Sequence, residues 1–226
     1  MFAVLKKELK SYFYTPIGYI FISLFLIAMS FVFYNFTFTQ GQLHFEYVIW
    51  DSTVVLTFLI PVITMRMFSE EKKSGTDQLL ITSPKSIFSI VIGKFLAATV
   101  VTIVSCLLMF IYYGILSKFG HVSIVEPLVA MLGFLLLSMA FISFGMFASA
   151  LTEHQVIAAI IPIAFFLMLS FLNLQNGIFK LFSLTEMYQK FPLGIISLKE
   201  VVGYLSFIFL FVFLTIIILQ RRKSIK

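Results

Sequence analysis

Apolar residues run along this chain in long stretches divided by short polar punctuation, and most stretches are of membrane-crossing length. The pattern predicts six membrane-spanning helices at about 17–38, 48–67, 87–116, 127–151, 156–174 and 201–219. The third run is too long for one perpendicular helix and too short for two. It is expected to tilt, or to begin along the interface before entering lipid.

Two segments pattern as lying on a membrane rather than through it. In residues 1–15, Phe2, Leu5, Leu9, Tyr12 and Phe13 share one helical face while Lys6, Lys7 and Lys10 lie on another. That is an interfacial amphipathic helix, ending before Pro16. Residues 176–200 are apolar but broken by Lys180, Glu186, Lys190, Pro192 and Lys199. They read as short helices dipping into the outer leaflet and packed on the spans, so that their backbone groups stay paired.

One stretch departs from the rest. Residues 65–95, MRMFSEEKKSGTDQLLITSPKSIFSIVIGKF, hold five cations and three acids between two apolar runs. Its punctuation reads as a helix stop followed by a start. Gly75 takes the left-handed turn that ends a helix continuing from the second span. Thr76 caps a new short helix, with Asp77 near its positive end, and Leu79, Leu80 and Ile81 exposed on it. Ser83 and Pro84 then repeat the start signal for the third span. So short a helix is marginal alone in water, which favours a docking partner over a solvated loop. The pattern itself names no partner.

Composition settles the solvent. The chain is 61% hydrophobic and 12% charged, with 29 Phe in 226 residues, against roughly a quarter charged in soluble domains. The run FIFLFVFLTIIIL at 207–219 alone favours insertion by about 4–7 kcal/mol. Twelve of the sixteen cations fall on one side of the six-span arrangement and four on the other. The positive-inside rule therefore puts both termini in the cytoplasm. Topology accounts for the net charge of +6, and nucleic-acid binding is not needed.

The chemistry that is missing narrows the function. No span holds an acid or base away from its ends; Lys94, Glu126, Glu153 and Glu200 are expected near the interfaces, reaching water. Proton or ion relays need such groups, so a secondary transporter or ion channel is disfavoured. His44, His121 and His154 are scattered and pair with no carboxylate or cysteine at ligand spacing, so no metal site is expected. The single cysteine, Cys106, sits mid-span and offers no disulfide. Gly93-Lys94 lacks the phosphate-cradling loop around it, and no nucleophile elbow occurs. No catalytic or cofactor-binding residue is predicted, and any driven work must draw energy from another protein. Ser138, Ser143, Gly145, Ala148 and Ser149 permit close helix contact within the chain or between subunits. Pro162 is expected to bend the fifth span, as a fixed kink or a hinge.

At this point the run Arg66, Glu70-Glu71-Lys72, Ser74-Gly75-Thr76, Leu79-Leu80, Thr82-Ser83-Pro84 and Gly93-Lys94 resembles the signature region of ATP-binding-cassette (ABC) permeases of the type-2 export class. The opening stretch KKELKSYFYTPIGYI and the closing stretch GIISLKEVVGYL resemble those of its short six-span, gliding-motility-permease-like members. The family commonly places an apolar residue and then an acid after Gly-Thr, where Asp77 and Gln78 stand here.

The resemblance implies a single transmembrane permease domain over residues 1–226, all-α and integral to the cytoplasmic (inner) membrane of a bacterium. It implies that residues 68–86 form a cytoplasmic coupling loop whose short helix sits in a cleft of a separate ABC ATPase. Glu70, Glu71, Lys72, Gly75, Thr76, Asp77, Leu79, Leu80, Ile81, Ser83 and Pro84 would then carry the coupling. ATP and Mg would be bound by that partner, with none in this chain. A second permease chain, identical or not, would complete the membrane unit. The alternative function is a membrane anchor or force-transmitting subunit of an ATPase-driven envelope or motility complex. Substrate-binding residues are not identified on either reading.

Overall fold

The computed structural model describes residues 2–39, 41, 43–76, 86–119, 123–171 and 184–225, and all regular structure among them is helical. In chain order the helices are α1 (Phe2–Tyr14), α2 (Pro16–Tyr34, running into a π-helical turn at Asn35–Thr39), α3 (Phe45–Asp51), α4 (Thr53–Thr64) and α5 (Arg66–Lys73). They continue with α6 (Ile87–Leu116), α7 (Val125–Leu151), α8 (Gln155–Phe171), α9 (Leu184–Tyr188) and α10 (Leu198–Ile225). Five stretches are long and apolar enough to cross a membrane: Pro16–Thr39, Thr53–Lys73, Ile87–Leu116, Val125–Leu151 and Leu198–Arg221. The fifth predicted run is the shorter apolar helix α8, and its expected end at 172–174 lies outside the described residues. Helix α8 continues through Pro162.

Helix α7 is the axis of the bundle. It is the most buried of the five long stretches and touches α3, α4, α5, α6, α8, α9 and α10. Its small residues serve packing inside the chain: an added Cβ at Gly145 would stand 2.3 Å from Oγ1 of Thr64 on α4. Ser138 and Ser143 return their hydroxyl hydrogens to carbonyls of α7 itself, at Phe134 and Ala140. Aromatic rings hold α8 and α10 to this axis, with Phe141 on Phe166 at 3.8 Å and Phe144 against Phe165 and Phe211 at 4.2 and 4.8 Å.

The second predicted span, 48–67, is not one helix. Its helical hydrogen-bond ladder is interrupted at Ser52 and again at Met65, although both keep right-handed helical φ and ψ. Hydroxyls compete for the ladder here: Ser52 Oγ donates to Val48 O, Thr53 Oγ1 to Trp50 O, and Thr64 Oγ1 to Ile60 O. Pro61 also removes a donor. The third span begins at Ile87 as expected. Ser86, in extended conformation, accepts from Ser89 N at 3.3 Å, and the start signal read at Ser83-Pro84 lies outside the described residues.

At the end of the bundle away from α5, α9 and the turn after it pack on α7 and α10. Tyr188 stacks on Trp50 at 5.5 Å and donates to Ala130 O. Phe191 occupies the space a side chain at Gly133 would need, and Lys190 pairs with Glu200 at 2.6 Å. His44 does meet a carboxylate, Glu46 Oε1 at 2.9 Å, contrary to the reading of the isolated histidines. A two-residue offset across a non-helical His44 makes that contact possible.

Candidate functional site

The polar stretch isolated in the sequence converges with α1 and the end of α7 at one end of the bundle. Its core is Lys94, about two turns into α6 and only 2% exposed. The ammonium lies 2.8 Å from Glu71 Oε1 on α5, 3.3 Å from Glu8 Oε1 on α1, and 5.3 Å from the centre of the Phe68 ring. The expectation that Lys94 reaches water is therefore overturned. Helix α1 folds back across α6 at Gly93, where Val4 would lie 2.8 Å from an added Cβ, and so closes the lysine off from solvent. Two carboxylates share one ammonium, and Glu71 Oε2 is buried without a hydrogen-bond partner.

Helix α1 thus presents three sectors. Val4, Glu8 and Tyr12 face the protein; Leu5 and Leu9 are half-buried beside them; Phe2, Lys6, Lys7 and Lys10 are exposed. The exposed lysine face expected from the sequence is kept, but Tyr12, expected on the apolar face with Phe2, Leu5 and Leu9, is instead buried against the protein beside Val4 and Glu8. Burial, reinforced by Glu8, pushes the Tyr12 phenol up and keeps it neutral.

Helix α5 is held at both ends. The break at Met65 leaves the first N–H groups of α5 without helical partners. Ser149 of α7 supplies the missing cap: its Oγ accepts from Phe68 N and Ser69 N at 3.0 and 3.1 Å and donates to Met65 O. Lys72 Nζ donates to Ala150 O at the same end of α7. Arg66 and Glu70 form a two-pronged pair, half open to solvent and of small energetic weight. At the other end Gly75 adopts φ 71°, the left-handed stop read from the sequence. Thr76 turns its hydroxyl back to Glu71 O and Ser74 Oγ. Asp77, Leu79, Leu80, Ile81, Ser83 and Pro84, and with them the short helix expected there, lie outside the described residues.

Replacing Ser149 with alanine removes three hydrogen bonds and strands two buried donors. It is expected to destabilise the protein by about 2 kcal/mol in detergent unfolding, more than Ser138→Ala, whose bond is local.

Sequence reasoning named Ser149 only as a small packing residue and did not find its capping role, Glu8 or the buried role of Lys94. Glu8 is the single acid in α1, and an acid facing one stripe of a basic helix was the available signal.

This arrangement makes α5 a short arm tied to α6 and α1 through Glu71 and Lys94, and to α7 through Ser149 and Lys72. Residues 38–220 match the family model described as ABC-2 family transporter protein.

The chain belongs to the ABC-2 family.

It is a multi-pass membrane component of the ABC-2 permease type. Permeases of this family work with ABC ATPase partners and are generally not catalytic themselves. No curated protein matches the chain. The match starts within the π-helical turn after α2, so α1 and Glu8 lie before it.

Proposed function

We propose that this permease is the membrane subunit of an ABC exporter, moved by a separate ATPase that docks on residues 76–84. The buried Glu71–Lys94–Glu8 cluster carries the reading. It joins the arm beneath that segment to two other helices, so that displacement at the segment reaches the membrane-spanning bundle instead of dissipating in a loop.

The fuller assignment follows the same logic. Helix α8 completes a set of six spans, the α5 end faces the cytoplasm with most of the lysines and arginines, and α9 lies toward the outer leaflet. ATP and Mg belong to the ATPase. Two permease chains, alike or different, enclose the substrate path in a bacterial inner membrane, and the short six-span form resembles the gliding-motility permeases.

The deciding experiment is the double substitution Leu79→Asp/Leu80→Asp in the complex with its ATPase. Two charges on an apolar docking face are expected to abolish transport-linked ATPase stimulation while membrane insertion stays normal. A stimulated rate equal to the unsubstituted complex would overturn the proposal.

A further inference from the structure

The three-sector character of α1 has a use beyond packing. Lys6, Lys7 and Lys10 are exposed and take part in no ion pair among the described residues, whereas Glu8, the only acid of the helix, is turned inward onto Lys94. The outward face is therefore purely cationic. Phe2, 77% exposed, and the half-buried Leu5 and Leu9 lie beside the lysines. The helix sits where the chain is about to enter its first span, with Thr15 extended (φ −92°, ψ 158°) between α1 and α2. Lysines bordered by apolar side chains at the start of a span match the chemistry of anionic lipid headgroups.

The inward face of the same helix is wired to the arm. Gly93 lets Val4 approach closely enough for Glu8 to reach Lys94, and Lys94 holds Glu71. The Glu8 contact is the longer of the two, 3.3 Å against 2.8 Å, and Glu71 Oε2 is unpartnered. A cluster so unevenly satisfied loses least by releasing Glu8.

We propose that α1 is an anionic-phospholipid-responsive clasp: headgroups gathered on Lys6, Lys7 and Lys10 hold α1 on α6, keep Glu8 on Lys94 and thereby firm the α5 arm. This rests on the reading of the α5 end as the cytoplasmic side and deepens it by naming what regulates the arm. In a neutral bilayer α1 lifts more often, Lys94 loses one of its two carboxylates, and α5 opens with it.

The test is amide hydrogen exchange on the full permease chain, with no ATPase present, in vesicles of phosphatidylcholine and of phosphatidylcholine with phosphatidylglycerol. Phosphatidylglycerol is expected to slow exchange in α1 by about tenfold or more, through attraction of the three lysines to an anionic surface, and in α5 by a smaller factor in the same direction. High salt should erase both effects by screening. Lys6→Gln/Lys7→Gln/Lys10→Gln should lose both, and Glu8→Gln should keep the α1 effect and lose that on α5. Equal exchange of the unsubstituted chain in the two vesicles would overturn the proposal. Persistence of the α5 effect in Glu8→Gln would overturn the wiring. Because no ATPase is present, neither outcome is confused with failure of the Leu79/Leu80 experiment.

Discussion

Lys94→Ala is expected to destabilise the permease by about 3–5 kcal/mol, the range for removing one partner from a buried ionic cluster. The alanine leaves Glu8 and Glu71 facing each other without a counter-charge, in a site where Lys94 itself is 2% exposed. It also removes the cation above the Phe68 ring. The check is denaturant unfolding in detergent, followed by the fluorescence of Trp50. That residue is the sole tryptophan and stacks on Tyr188 at the opposite end of the bundle, so it reports global unfolding. A loss under about 1 kcal/mol would mean that the cluster is not desolvated. Replacing the whole set, Glu8→Gln/Glu71→Gln/Lys94→Met, should recover most of the loss, because neutral groups of similar size need no counter-charge. Recovered stability combined with lost ATPase coupling in that variant would separate the cluster's transmitting role from its structural one.

Gly145→Val is expected to cost about 3 kcal/mol or more through overpacking where α7 crosses α4. Even a lone Cβ at 145 would meet Thr64 Oγ1 at 2.3 Å, Cβ at 2.9 Å and Cγ2 at 3.2 Å. Valine adds two methyl groups to that clash and can be accommodated only by moving α4 away from α7. Ser149 lies one turn further along α7, so the same displacement pulls its cap from the start of α5. Reduced unfolding stability together with faster amide exchange in α5 is the expected pair of signals. Gly145→Ala should show a milder form, and adding Thr64→Ala should relieve part of it by removing two of the three clashing atoms. No relief in that double variant would show that the close approach of α7 to α4 is not what the glycine serves.

Much of this architecture is legible in the chain because a bilayer leaves few choices. Helices satisfy their own backbone groups, so a long apolar run has one solution. The third run, 87–116, accordingly became α6 with the expected bounds, and Gly75 stopped α5 because a left-handed turn suits glycine. The reading failed where a local signal competed with a tertiary one. The breaks at Ser52 and Met65 depend on hydroxyls bonding back to the helix and on Ser149 arriving from a helix some eighty residues away. Lys94 was placed near water because a lysine close to a helix start ordinarily reaches it. Nothing in its neighbourhood in sequence announces that α1 will cover it.

By itself, then, the sequence determined the solvent, the helical class, the approximate runs and the position of the polar stretch between two of them. Those follow from composition and from periodicities that need no partner. Which charges meet was set by packing between helices: Glu8, Glu71 and Lys94 come from three of them and coincide because α1 folds back over Gly93. The physical reason is range. Helix formation and membrane insertion are set by neighbours within a few turns, whereas a buried ion pair depends on how separate helices pack, which no local pattern encodes.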